Sequence, residues 1–151
     1  MTIKEIIMNP KTYFEFIWEK YNSSNLNIVF ASRRDGKDYG SYIKKFPEFE
    51  KVFRQLMKNI TTINGYYQLA NNDHNTSNKL ETNKVLATVY HWKIGDNKNE
   101  VYIKFLVQYK SASLKQNYPD SKSSVNIMVL SCHEPETRYT HWKKIKDLFQ
   151  K

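Results

Sequence analysis

The sequence predicts a single α+β domain spanning residues 1–151, with a mainly antiparallel sheet built around a long hairpin at residues 85–110 and packed by about three helices. The two hairpin arms alternate apolar and polar residues around the turn formers of residues 95–99, the period of strands with one buried face. A chain of 151 residues with 40% hydrophobic content is large enough to bury one core. Five apolar residues at spacings of three and four predict a helix: Phe46, Phe49, Phe53, Leu56 and Ile60.

The N-terminal residues carry two signals for the start of a helix. Thr2 and Glu5 have the spacing of a capping box, in which each side chain bonds the backbone of the other residue. Asn9 followed by Pro10 indicates a second start, because asparagine accepts bonds from the first helical N–H groups and proline has no N–H to lose. We expect this helix to end near Tyr21.

The remaining elements follow from apolar patterns between polar segments. Short strands are predicted at residues 27–32 and 63–70, and a central strand with two partly apolar faces at 124–132. Polar segments near residues 71–83 and 111–123 predict mobile loops. The last 16 residues before Gln150 predict a closing helix, with a proline and two glutamates near its start and lysines toward its end. Its expected buried stripe is Trp142, Ile145, Leu148 and Phe149.

The hairpin pattern fixes a buried face but leaves the strand register open. Loops closing at different turn residues would place either Trp92 or Ile94 opposite Val101. Each of these registers pairs even positions of the first arm with odd positions of the second, because a slip of one residue would turn every side chain over. The predicted core face of the second arm is Val101, Ile103, Phe105, Val107 and Tyr109.

Charge is the strongest compositional signal. Lys and Arg number 24 against 15 Asp and Glu, a formal net charge of +9 and an isoelectric point near 9.5. This balance favours nucleic acid, anionic surfaces or acidic proteins as partners. The single cysteine excludes an internal disulfide, and no apolar run is long enough for a membrane span or a signal peptide. We therefore expect a cytoplasmic protein without a membrane partner, and the Asn-, Lys-, Ile- and Tyr-rich composition is compatible with a viral or mobile-element origin.

Two groups of residues are candidate contacts for nucleic acid. A glycine-containing turn carries Arg33, Arg34 and Lys37, which suit phosphate contacts, although a solvated basic turn has the same composition. The turn end of the hairpin places aromatic residues beside cations on the face opposite the core, a pattern used to stack bases and neutralise phosphates. An ordinary solvated sheet end is the alternative interpretation. The candidates there, expected to be open to solvent, are His91, Lys93, Tyr102 and Lys104.

The sequence matches no catalytic or metal-binding pattern. The glycines near Arg33 do not have the spacing of a phosphate-binding loop. Cys132 and His133 are neighbours on a predicted strand, so their side chains point to opposite faces and cannot form a nucleophile and base. Asp73, His74 and Glu81 lie in a predicted loop without ligand spacing. No catalytic residue, cofactor or metal site is therefore predicted.

The leading functional hypothesis is a small, basic, non-enzymatic protein that binds DNA or RNA through sequence-tolerant phosphate contacts. A first alternative is a protein-interaction or inhibitor module that docks on an acidic partner surface. A second alternative is a metal-dependent nuclease that uses acids such as Asp73 or Glu81.

Overall fold

The computed structural model describes residues 1–30, 49–71, 84–94, 97–108, 123–133 and 141–150. These residues form three α-helices and six strands, followed by a C-terminal 3-10 helix. In order they are α1 (Ile3–Met8), α2 (Pro10–Asn22), β1 (Leu26–Phe30), α3 (Phe49–Lys58), β2 (Gly65–Asn71), β3 (Lys84–Ile94), β4 (Asn97–Val107), β5 (Val125–His133), β6 (Lys143–Lys144) and the 3-10 helix (Ile145–Phe149).

The six described strands belong to one mixed sheet in the order β1-β5-β4-β3-β2-β6. β1 runs parallel to β5, and the other described pairs are antiparallel. This confirms the predicted α+β class, and the hairpin forms the middle of the sheet as β3 and β4. β5 lies between β1 and β4, as expected for a central strand.

The hairpin register differs from the predicted ones, while its buried face is confirmed. Tyr90, and not Trp92 or Ile94, lies opposite Val101, and the pairing continues to Ile94 opposite Asn97. The even positions of β3 still meet the odd positions of β4, so Leu86 and Phe105 pair on the buried face. The pairing of even with odd positions was predicted correctly because burial of one face constrains it. The residues that close the turn were left open because several turn formers can close it.

The two helix starts form as predicted. The backbone N–H of Glu5 donates to the Thr2 hydroxyl at 3.1 Å, and the Glu5 carboxylate accepts from the Thr2 N–H at 3.2 Å. These bonds to Thr2 lower the pKa of Glu5. The Asn9 side chain accepts from the N–H groups of Lys11 and Thr12 at 3.0 and 3.3 Å. Local capping chemistry therefore sets where α1 and α2 begin.

Helices α2 and α3 cover one face of the sheet, which we call the core face. Phe53 of α3 meets Phe105 of β4 edge to face, with ring centroids 6.0 Å apart. The Tyr90 hydroxyl donates to the Val52 carbonyl oxygen at 2.6 Å. The Tyr13 hydroxyl accepts from the Val107 N–H at 3.1 Å, and burial raises the pKa of Tyr13. Packing and tyrosine hydrogen bonds thus fasten both helices to the hairpin.

Lys20 is a buried cation that the sequence did not reveal. It is fully buried at the end of α2, and its Nζ donates to the carbonyl oxygen of Ser123, just before β5. A buried ammonium requires polar partners because its desolvation is costly. Lys20 therefore links α2 to the segment that enters the centre of the sheet.

The predicted C-terminal helix is wrong for the described residues 141–150. Lys143 and Lys144 form the short strand β6 on the edge of β2, and a 3-10 helix follows. The acidic start and basic end of the segment favoured a helix, but pairing with the edge of β2 satisfies backbone groups that local propensity cannot. Ile145 is buried as expected, whereas Leu148 and Phe149 are partly buried.

Several other predictions can be placed. The strands predicted at 27–32 and 63–70 correspond to β1 and β2, and the predicted helix from Phe46 corresponds to α3. Most of the two predicted loops lies outside the described residues. No helix within the described ranges combines the length and the apolar composition needed to cross a membrane.

Replacing Thr88 with valine is expected to raise the free energy of unfolding by about 1 kcal/mol. Thr88 is fully buried on β3 opposite Ile103, and its hydroxyl has no hydrogen-bond partner among the described residues. Valine keeps the shape and removes the unsatisfied oxygen. Urea denaturation checks the change. Thr61→Val, at an exposed turn position, is the control and should leave the midpoint unchanged; a lower midpoint for Thr88→Val would contradict the expectation.

Candidate nucleic-acid interface

The face of the sheet opposite α2 and α3, which we call the second face, has an apolar part and a mixed part. Leu106 and Leu130 are buried there and pack against the partly buried Met128. Leu130 is the residue accommodated by a register shift, since Phe105 pairs with Val129 while Lys104 pairs with Ser131. The apolar part therefore lies over part of β4 and β5, while the mixed part runs from Tyr102 and Lys104 of β4 to β2 and β6.

A row of residues crosses the mixed part from the sheet edge to the hairpin. Lys144 pairs with Tyr66, Tyr66 with Val89, and Val89 with Tyr102. Paired residues occupy the same face, so the row places a lysine at the edge and two tyrosines inward of it. Three strand spacings separate Lys144 from Tyr102, roughly 14 Å. Tyr66 and Tyr102 are both half-buried.

Trp142 joins this row from the residues that precede β6. Its ring centroid lies 6.3 Å from that of Tyr102, with the two planes tilted by 48°. The sheet order places β2 and β3 between β6 and β4, so the indole has to reach across two strands. His141 contacts Trp142 edge to face at 6.3 Å. The result is an aromatic pair on the second face, assembled from residues 40 positions apart in sequence.

We call the following set the basic-aromatic patch: Tyr66, Tyr102, Lys104, His141, Trp142 and Lys144. Lys144 and His141 are exposed, and Lys104 is half-buried opposite Ala87. The neighbouring Lys143 is not included, because it pairs with the core residue Tyr67 and so occupies the other face. One acid, Glu100, is exposed two residues before Tyr102 and offsets part of the positive charge.

The predicted contacts are only partly brought together. Tyr102 and Lys104 share the second face as expected, but both are half-buried and not fully open to solvent. The backbone of His91 pairs with that of Glu100, and the backbone of Lys93 with that of Lys98. For these two candidates only the backbone pairing is described. Arg33, Arg34 and Lys37 lie outside the described residues.

Sequence reasoning missed Tyr66, Trp142 and Lys144 as members of a surface. Trp142 and Lys144 were assigned to a helix, where one would be buried and the other would complement the helix dipole. The available signal was weak, since a strand of two residues has no period to detect. Tyr66 lay in a correctly predicted strand, but its face is known only from its pairing with Val89.

Among the residues that the structure describes, no side chains are grouped for metal binding or for nucleophilic catalysis. No cluster of three or more histidine, cysteine, aspartate or glutamate side chains occurs within those ranges. The backbone positions of Cys132 and His133 pair with Ile103 and Tyr102, on opposite faces of the sheet. Asp73, His74 and Glu81 lie outside the described residues.

The side chains of the patch determine which ligands it can bind. Aromatic rings stack on flat apolar groups, and lysines attract anions; the patch has both within one face. A fold by itself does not identify a function, so the site has to carry the argument. Comparison with known proteins found no matching family model, no similar curated protein and no similar solved structure.

Proposed function

We propose that this chain binds single-stranded nucleic acid, DNA or RNA, through the basic-aromatic patch and without sequence preference. The observation that carries the proposal is the contact between Tyr102 and Trp142 on the same face as Lys104 and Lys144. Every base has an apolar ring face, so aromatic platforms stack bases in a sequence-tolerant way, while lysines neutralise the phosphates.

Single strands suit this surface better than duplexes. The base faces of a duplex are stacked on one another and are not available to protein side chains, whereas a single strand can splay its bases onto a sheet. The row from Lys144 to Tyr102 spans roughly 14 Å, from three strand spacings. The net charge of +9 adds a long-range attraction that accelerates encounter with a polyanion.

The direct test is fluorescence anisotropy with labelled single strands of about 12 nucleotides, a length within known site sizes. The affinity is expected to fall as salt rises from about 50 to about 200 mM, with a slope of about −0.7 for each phosphate contact. DNA and RNA single strands of different sequence should bind alike, and the matching duplexes more weakly. Absence of binding at the lowest salt, or a slope near zero, would contradict the proposal.

The Trp142→Ala variant tests the aromatic pair. We expect it to weaken single-strand binding about tenfold or more, since stacking contributes about 1–3 kcal/mol per base. Trp18→Ala is the matched control because Trp18 is exposed on α2, on the helix side of the sheet, and it should bind like the unchanged chain. Equal losses in the two variants would argue against the patch.

Variants of two adjacent lysines distinguish a direct phosphate contact from the effect of the protein's net charge. Lys144→Gln is expected to reduce the steepness of the salt dependence by about 0.7, one phosphate contact. Lys143→Gln removes the same charge from the opposite face and should change the slope by less than half as much. Identical slopes for both variants would point to non-local attraction alone. If acidic polypeptides bind and oligonucleotides do not, a protein partner with an acidic surface replaces nucleic acid.

A further inference from the structure

A concave site lies on the helix side of the sheet, away from the basic-aromatic patch. It is a cavity of about 470 Å³ between α2, the residues that follow α3, and the C-terminal 3-10 helix. This volume is within the range of sites for small molecules. Its lining consists of Lys11, Glu15, Trp18, Lys58, Ile60, Thr61, Phe149 and Gln150.

The apolar part of this cavity has an aromatic wall and a packed floor. Trp18 is 46% exposed, an unusual state for a large aromatic side chain. Ile60 is almost completely buried, and Phe149 meets the buried Phe14 edge to face with centroids 6.4 Å apart. The indole therefore offers a flat surface beside a floor that belongs to the core.

The turn that supplies Ile60 and Thr61 is held by hydrogen bonds. The Asn59 carbonyl oxygen accepts from the N–H of Thr62 at 2.9 Å and from the N–H of Ile63 at 2.7 Å. Ile63 is itself in the core. The cavity is thus largely formed before any ligand arrives, which lowers the entropic cost of binding.

Charges at the rim select the ligand. Lys11 and Lys58 carry two positive charges and Glu15 carries one negative charge, so the rim has a net formal charge of +1. Lys11, Glu15 and Trp18 share one side of α2 through their spacing of four and three residues. Glu15 belongs to α2, whereas Lys58 ends α3 and Thr61 follows it. A negative group is therefore favoured near Lys58 and Thr61.

We propose that this cavity binds a small aromatic carboxylate, with its ring against Trp18 and its carboxylate toward Lys58. An aromatic wall next to an acid such as Glu15 also occurs in sites for cations, but the two rim lysines repel a cation. The site is independent of the proposed nucleic-acid interface, because α2 and α3 cover the opposite face of the sheet.

Binding is measured by NMR on the 15N-labelled chain, following the indole N–H of Trp18, which is assigned with Trp18→Phe. The probe is naphthalene-2-carboxylate, and its neutral carboxamide and the cationic naphthylmethylammonium are matched ligands. About 13 non-hydrogen atoms at roughly 0.3 kcal/mol each give an expected dissociation constant of about 1 mM. The carboxylate should bind more tightly than the amide, and the amide more tightly than the cation.

Substitutions of the lining residues test where the carboxylate of the probe lies. Lys58→Gln is expected to weaken the probe about threefold and Glu15→Gln to strengthen it about threefold, as for exposed charge pairs. Trp18→Ala, which lacks the indole and is followed through the backbone N–H signal of Thr61 in the cavity lining, should weaken it about tenfold, from the loss of an aromatic contact and its buried area. Met8→Ala, which removes another large exposed apolar side chain, 44% exposed and outside the cavity lining, should leave the affinity unchanged. Equal affinity for the three ligands, or no shift of the Trp18 indole with the carboxylate in millimolar amounts, would overturn the proposal.

Discussion

Replacing Gly65 with alanine is expected to lower the free energy of unfolding by about 3 kcal/mol, the upper end of the cost of overpacking. A Cβ atom at Gly65 would lie 2.6 Å from the Cβ of Tyr90 and 2.9 Å from the carbonyl oxygen of Val89. It would also lie 3.3 Å from the Cδ1 atom of Ile145. The first two atoms belong to, or are attached directly to, the β3 backbone, so they cannot move without shifting the strand.

Chemical denaturation followed by circular dichroism measures the effect of this change. Gln68→Ala on the same strand is the control, because Gln68 is exposed and surface substitutions usually change stability by less than about 0.5 kcal/mol. A midpoint for Gly65→Ala equal to that of the control would contradict the close approach. In the fold, Gly65 is the point where β2, β3 and the 3-10 helix come together.

Replacing Phe53 with alanine is expected to cost about 3–5 kcal/mol of stability, the range for removing a large buried aromatic side chain. Phe53 is fully buried, and its ring contacts Tyr21 at 5.7 Å and Phe105 at 6.0 Å between centroids. It therefore joins α3 to both α2 and the hairpin, and truncation leaves a cavity among three elements. Calorimetry or urea denaturation gives the change directly.

Two further variants sharpen this expectation. Phe53→Leu keeps much of the volume and should cost clearly less than Phe53→Ala. Gln55→Ala, at an exposed position of the same helix, should be nearly neutral. Because Phe53 lies on the core face, the folded Phe53→Leu variant is expected to bind single strands like the unchanged chain. A selective loss of binding with unchanged stability would show that the two faces are coupled.

The elements that the sequence predicted well are those with local or strictly periodic causes. Thr2 and Asn9 cap helices because their side chains reach N–H groups two or three residues away. The apolar positions of α3 repeat at helical spacing, and Phe53 and Leu56 are buried as that spacing requires. Alternation along β4 identified Val101, Ile103 and Phe105 as core, because a strand has only two faces.

The features that the sequence could not give depend on pairing between distant segments. The hairpin register was open because several turn residues can close the same two strands. The buried state of Lys20 depends on the Ser123 carbonyl oxygen, 103 residues away. The C-terminal segment had a helical charge pattern, but Lys143 and Lys144 pair with the edge of β2 instead.

The candidate site, too, could be predicted from the sequence only in part. Alternation along β4 alone placed Tyr102 and Lys104 together on the face opposite the core, and composition alone gave the positive charge. Only the tertiary structure brought Trp142 to Tyr102 and Lys144 to Tyr66. Short-range periodicity is encoded in neighbouring residues, whereas these contacts exist because β6 pairs with β2, and that pairing is determined by the free energy of the whole fold.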